Sequence, residues 1–157
     1  MPAGSDPPRV ALPHTFRPVG VRVAIYLFGA MMFATAAVIW FAFPPDVRDQ
    51  FTPFQRGTVV VLGLAVAAAG YALARSRIVA REGQVAVVNG YRTHRYDWNE
   101  IVSVSLRPGS PWAVLDLSDG TSVSAMGIQG SDGQRARVQV RQIRALVAQQ
   151  SRTDRND

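Results

Sequence analysis

Between Arg22 and Asp46 the chain carries no charged side chain, and a second charge-free run follows at 58–74. Nothing else in the sequence restricts the fold as much. Residues 23–43 read VAIYLFGAMMFATAAVIWFAF. As a helix rising about 1.5 Å per residue they span ~31 Å, the hydrocarbon thickness of a bilayer. Residues 58–74, TVVVLGLAVAAAGYALA, span ~26 Å, at the short end of the spanning range. A cleaved leader would have a basic start and a small-residue site, and Arg17, Arg22 and Ala34-Thr35-Ala36 offer both. The apolar run continues well past that site, however, and a second run follows it. A buried core helix is the other alternative for residues 58–74, but the remaining chain is too small to surround one. Two membrane helices, about 23–43 and 58–74, are therefore expected within a hairpin at 19–75.

Pro44-Pro45 ends the first helix, since neither residue offers a backbone N–H. Trp40, Phe41, Phe43, Phe51 and Phe54 cluster near the link, as in an interfacial aromatic belt, and Tyr26 and Tyr71 suit the opposite interface. Arg9, Arg17 and Arg22 precede the first helix, Arg75, Arg77 and Arg81 follow the second, and the link carries Arg48 and Arg56. This bias places both termini in the cytoplasm, with the link outside a plasma (inner) membrane. Neither helix core carries the ionisable groups that mark transport paths, which argues against a transporter or channel. Gly63, Ala67 and Gly70 give the second helix a small-residue face that suits close helix contact, within the hairpin or between copies, and equally fits ordinary alanine-rich filler.

The net charge is +6, and every basic residue is arginine. Such a balance favours anionic partners. The excess lies near the membrane runs and on one helix face, and no nucleic-acid motif accompanies it, so no nucleic-acid partner is expected. With no cysteine, thiolate metal sites and cysteine nucleophiles are excluded. His14 and His94 lie far apart in sequence, and neither a catalytic motif nor a cofactor-binding loop is evident. No cofactor and no enzyme activity are expected. Residues 1–18, with five prolines, read as a disordered tail, and the polar residues 151–157 read as a frayed end.

Residues 76–150 have a different pattern. Strands are expected at 78–81, 85–89, 91–97, 102–106, 112–117 and 121–126. Glu82-Gly83-Gln84, Asn89-Gly90 and Asp119-Gly120 supply hairpin turns, Asn89-Gly90 suggesting type I′. Ser131 and Gln134 are spaced as a capping box for a closing helix. On that helix Ala136, Val140, Ile143 and Val147 form an apolar stripe, and Arg137, Arg141 and Arg144 form a basic stripe beside it. The expected class is α+β: a two-helix membrane hairpin, then a bent antiparallel sheet capped by one helix.

The run VVNGYRTHR at 87–95 and DWNEI at 97–101 resembles the membrane-anchored bacterial PH-like domains of actinobacteria, most closely those of the low-molecular-weight protein antigen 6 type. So do Gly109-Ser110-Pro111-Trp112-Ala113, Asp119-Gly120, Ile128-Gln129-Gly130 and Asp132-Gly133. The resemblance covers about 76–150 and implies a split β-barrel capped by a C-terminal α-helix, preceded by a membrane hairpin. Within the shared motif Asn89, Gly90, Trp98, Pro111, Trp112, Asp119, Gly120, Gln129, Asp132 and Gly133 are expected to be structural. PH domains that bind phosphoinositides usually carry several basic residues in the first hairpin loop; Arg81-Glu82-Gly83-Gln84 has one arginine and one glutamate.

Candidate contact residues are therefore arginines and a histidine. Arg75 and Arg77 lie at the membrane boundary, Arg92, His94 and Arg95 crowd one strand, and Arg137, Arg141 and Arg144 line the last helix. A solvated strand or helix face is the plain alternative for the last two groups. The expected function is a membrane-tethered interaction module that binds a protein partner at the inner face. Direct binding of anionic lipid, or envelope sensing through these arginines, is the alternative.

Overall fold

The computed structural model describes residues 10–153. Helix α1 (Val19–Ala42) and helix α3 (Pro53–Arg75) form the hairpin, joined by the short helix α2 (Pro45–Asp49). Both long helices start before the apolar runs that suggested them. At α3 the cause is local: Thr52 Oγ1 accepts from the Gln55 amide at 3.3 Å, and Gln55 Oε1 accepts from the Thr52 amide at 2.9 Å. This reciprocal cap lets the helix begin at Pro53, a residue with no N–H to lose. Each helix is now ~35 Å long, enough to span a bilayer with some tilt.

Among the described residues α1 buries none and α3 buries Ala74. The two helices are long and apolar enough to cross a membrane, and their large side chains point outward. They meet at Gly70, where an added Cβ would sit 3.1 Å from Ile25 Cγ2, whereas Gly63 faces open space. The small-residue face is thus divided, with one glycine between the helices and the other turned away. In the link, Phe51 packs edge-on to Trp40 at 5.7 Å and stacks on Phe43 at 6.0 Å. The Arg56 guanidinium lies 5.4 Å from the Trp40 ring centroid.

The remainder is two antiparallel sheets. One has the order β1-β2-β3-β4 and the other β5-β6-β7. They comprise β1 (His14–Phe16), β2 (Arg77–Ala80), β3 (Gln84–Asn89), β4 (Arg92–Asp97), β5 (Ile101–Ser105), β6 (Trp112–Leu117) and β7 (Ser122–Gln129). Helix α4 (Gln134–Thr153) packs on β5, β7 and the 3-10 turn at Trp98–Glu100. The α+β class stands, but among the described residues no strand ladder joins the two sheets into a closed barrel.

Strand β1 corrects the expectation of a disordered tail. Thr15 pairs with Val79 and Phe16 with Ile78, and Phe16 is fully buried in the core. Pro13 and Pro18 flank this strand at the sheet edge, where a missing N–H costs no ladder bond. The tail expectation for residues 1–9 and 154–157 lies outside the described residues. Residues 151–153 belong to α4 instead of a frayed end.

Two local readings also change. Asn89 pairs with Arg92, so the loop is Gly90-Tyr91, with positive φ at Gly90 alone. A type I′ turn needs positive φ at both central residues, so this is not one. Asn89 is left in extended backbone, and its side chain is used elsewhere. The Ser131–Gln134 capping box is also absent. Ser131 belongs to a 3-10 turn at Gly130–Asp132, Gly133 turns the chain at φ +57°, and the first bond of α4 runs from the Arg137 amide to the Gly133 carbonyl. Ala136, Val140 and Ile143 face the core as expected, and Leu146 joins them more fully than Val147.

Candidate functional site

The domain is bonded to the near ends of both hairpin helices. At α1, Pro18 precedes the helix and offers no side-chain cap. Asp132, 112 residues away from Gly20, supplies one: its Oδ2 accepts from the Val19 amide at 3.2 Å and its Oδ1 from the Gly20 amide at 3.1 Å. A carboxylate there also complements the positive end of the helix dipole. The structural role of Asp132 therefore serves α1. At α3, Ser76 Oγ donates to the Ala72 carbonyl at 3.2 Å and accepts from the Gly90 amide at 3.0 Å. Tyr91 Oη donates to the Ala68 carbonyl at 2.8 Å, with its ring beside Tyr71. These contacts hold the domain against the helix ends.

A groove of about 690 Å³ opens beside the α1 junction. One wall is the turn from Arg107 to Pro111; the other is α4. Residues 137, 141 and 144 fall within about 60° of one another on a helix, so Arg137, Arg141 and Arg144 share one exposed face and line the groove, with Arg107 opposite. Arg144 is tied down, its Nε donating to the Val104 carbonyl at 2.5 Å. Among the described residues no carboxylate lines the groove. The sequence indicated the helical stripe but missed Arg107, because nothing local signals that its turn folds against a helix more than 25 residues later.

The β4 group is less concentrated than expected. Alternation places Arg92 and His94 on one face and Arg95 on the other. His94 stacks on Tyr96 at 6.4 Å, and residues 92–95 are all exposed. Strand β4 ends its sheet's strand order, so one backbone edge has no neighbouring strand among the described residues. Arg75 ends α3 exposed, and Arg77 opens β2 half-buried. No group of three or more His, Asp or Glu among the described residues is placed to hold a metal ion.

Residues 75–146 match the sequence family described as Bacterial PH domain. Over that segment, which is just under half of the chain, the protein is similar to the bacterial PH domain family. An uncharacterized protein of Mycobacterium bovis (Mb1452) and one of Mycobacterium tuberculosis (Rv1417) are each 34% identical to the chain over 87 residues, covering 55% of this chain and 56% of theirs. The chain thus spans about half the length of the curated relatives it matches. No solved structure gives a significant match.

Within the PH domain the motif residues divide by task. Trp98 is buried, and its Nε1 donates to the Arg81 carbonyl at 2.9 Å. Trp112 is half-buried at the start of β6, opposite Gln129 and next to a register shift. Asn89 joins the sheets, its Nδ2 donating to the Ser124 carbonyl at 2.5 Å and its Oδ1 accepting from the Met126 amide at 3.0 Å. The Pro111 carbonyl accepts from the Gly130 amide at 2.9 Å, closing one end of the groove. Gly120 takes φ +83° in the β6–β7 turn. Asp119 Oδ1 accepts from the Thr121 amide and hydroxyl at 2.8 and 2.7 Å, which holds its carboxyl below the usual range. Burial raises the Tyr96 phenol, and Glu100 and Asp119 raise it further.

Proposed function

We propose that the chain is a non-enzymatic, membrane-tethered PH module that spans the plasma membrane twice and presents its domain at the inner face to a protein partner. The observation that carries this reading is the double junction. Asp132 caps α1, and Tyr91, Gly90 and Ser76 close on the end of α3. A domain fixed in this way stays at the bilayer surface in one orientation. Tethering raises its effective concentration there, so even a weak contact is productive. The open edge of β4 suits strand addition by an extended peptide, in which backbone bonds give affinity and Arg92, His94 and Arg95 select the sequence.

Two measurements test this. The chain has no cysteine, so single-cysteine variants report topology cleanly. Gln50→Cys in the link should react with an impermeant maleimide added outside intact cells, and Ser118→Cys in the domain should react after permeabilisation. The reverse pattern rejects the orientation. Affinity purification from native membranes should then recover a partner with the wild-type chain and lose it with an R92E/R95E variant. Equal recovery removes β4 as the partner surface. Direct binding of anionic lipid is the second reading, favoured by the arginine-lined groove.

A further inference from the structure

We infer that the groove between the Arg107–Pro111 turn and α4 binds the phosphate headgroup of an anionic lipid in the adjacent leaflet. The inference rests on the membrane-tethered reading and does not require a protein partner. Three features carry it. The first is charge: Arg107, Arg137, Arg141 and Arg144 converge on one concavity that no carboxylate among the described residues lines. Arg107, Arg137 and Arg141 have no ion-pair partner among the described residues, though the Asp116 carboxylate feels Arg107 at longer range. Arginine on a solvated face usually serves solubility, but cations facing one another across a groove repel, and an oxyanion relieves that repulsion through paired N–H donors.

The second feature is the floor of the site. Gly130 and Gly133 line the groove at the start of α4. An added Cβ on Gly130 would run into the Ser110 carbonyl, so the two walls can approach as they do only with glycine there. The positive end of the 20-residue helix α4 therefore opens beside the arginines. The third is position. Ser131 and Gly133 line the groove, and Asp132 between them holds the first amides of α1. The groove thus opens where a membrane helix begins, at headgroup height. The first hairpin loop contrasts with it: a shallow pocket there brings Arg81 together with Glu82 and Asp97, a poor setting for an anion.

The test uses the full chain in neutral-detergent micelles, titrated with dioleoyl phosphatidylglycerol, dioleoyl phosphatidylcholine or inorganic phosphate, with bound species counted by native mass spectrometry. The wild-type chain should retain phosphatidylglycerol in preference to phosphatidylcholine. An R137Q/R141Q variant should weaken that retention about tenfold, the scale of losing a charge-assisted hydrogen bond. Arg107→Gln, on the opposite wall, should reproduce the loss, which separates the site from any effect on α4. An R92Q/R95Q variant should bind as wild type. Retention unchanged in both groove variants overturns the proposal. Displacement of the lipid by equimolar inorganic phosphate would also overturn it, by assigning the groove to a soluble anion. So would an R137Q/R141Q variant that keeps its lipid and loses a co-purifying protein. Failure of the tether reading would instead appear in the cysteine-labelling pattern, which these substitutions do not touch.

Discussion

Leu64 on α3 and Leu115 on β6 are the same residue in opposite situations. The first is 65% exposed and the second fully buried. That contrast runs through the molecule. The hairpin turns its large apolar side chains outward, has a thin internal contact around Gly70 and Ile25, and is long and apolar enough to cross a membrane. The PH-like domain encloses Phe16, Val87, Trp98, Leu115 and Ile143 in one buried core. Truncating side chains in the two regions should therefore have very different effects. Trp98→Ala leaves a large cavity and strips the Arg81 carbonyl of its donor. It should cost about 3–5 kcal/mol of domain stability, read by denaturant unfolding of the detergent-solubilised chain. Leu64→Ala should change that stability by less than about 0.5 kcal/mol. A comparable loss from both would mean that the hairpin helices are packed against protein and the contrast is false.

Much of this contrast is legible in the sequence, for a physical reason. Membrane helices satisfy their backbone locally and face a uniform solvent, so composition and length suffice to find them. The strand alternation and the apolar stripe of α4 are local in the same sense. What escapes a local reading is any residue whose role depends on a distant surface. The tail around Phe16 looks disordered by composition, yet Ile78 and Val79 give it an edge to pair with. Gly127 lies just past the strand expected at 121–126, yet it belongs to β7. In the fold its Cβ would stand 2.6 Å from the Arg77 carbonyl carbon, so β7 can cross β2 at glycine alone. Asn89 looks like a turn former and is a bridge between sheets. In the groove, the stripe on α4 is visible from spacing, whereas Arg107 and the link that Asp132 makes to the start of α1 are not.

The two helix starts sharpen the comparison further. Helix α3 is capped by Thr52 and Gln55 from its own neighbourhood, and α1 by Asp132 from the PH domain. Asp132→Ala and Thr52→Ala each remove a cap worth about 1 kcal/mol. The consequences should differ in place. Thr52→Ala should accelerate hydrogen exchange in the first turn of α3 and leave the domain unchanged. Asp132→Ala should accelerate exchange at Gly20 and, in the same variant, around Gly130 and Gly133, because the cap joins the two regions. Exchange confined to the α1 side would show that the domain is not mechanically coupled to the hairpin.

The smallest effect expected is a pH response belonging to the domain alone. Asp116 lies in the middle of the three-stranded sheet. Ser103 on β5 donates to its Oδ2 at 2.5 Å, and Ser122 on β7 to its Oδ1 at 2.7 Å. The Ser103 bond, then the Ser122 bond, hold its carboxyl below the usual carboxylate value, and Arg107 adds to the effect. The unfolded chain therefore takes up a proton at a higher pH than the folded one does. The stabilisation is fully present above the unfolded value of about 3.9 and is lost as pH falls through the lower, folded value. Asp119 acts in the same direction through Thr121. Denaturant midpoints of the full chain should therefore decline as pH drops below about 5, and Asp116→Asn should flatten that decline while lowering stability at neutral pH. Neither α1 nor α3 contains a carboxylate, so hydrogen exchange within the two helices, corrected for the pH dependence of the intrinsic rate, should not change over the same range. Helices that open together with the domain at acid pH would mean the two regions unfold as one unit, and the junction would then carry more of the stability than its few hydrogen bonds suggest.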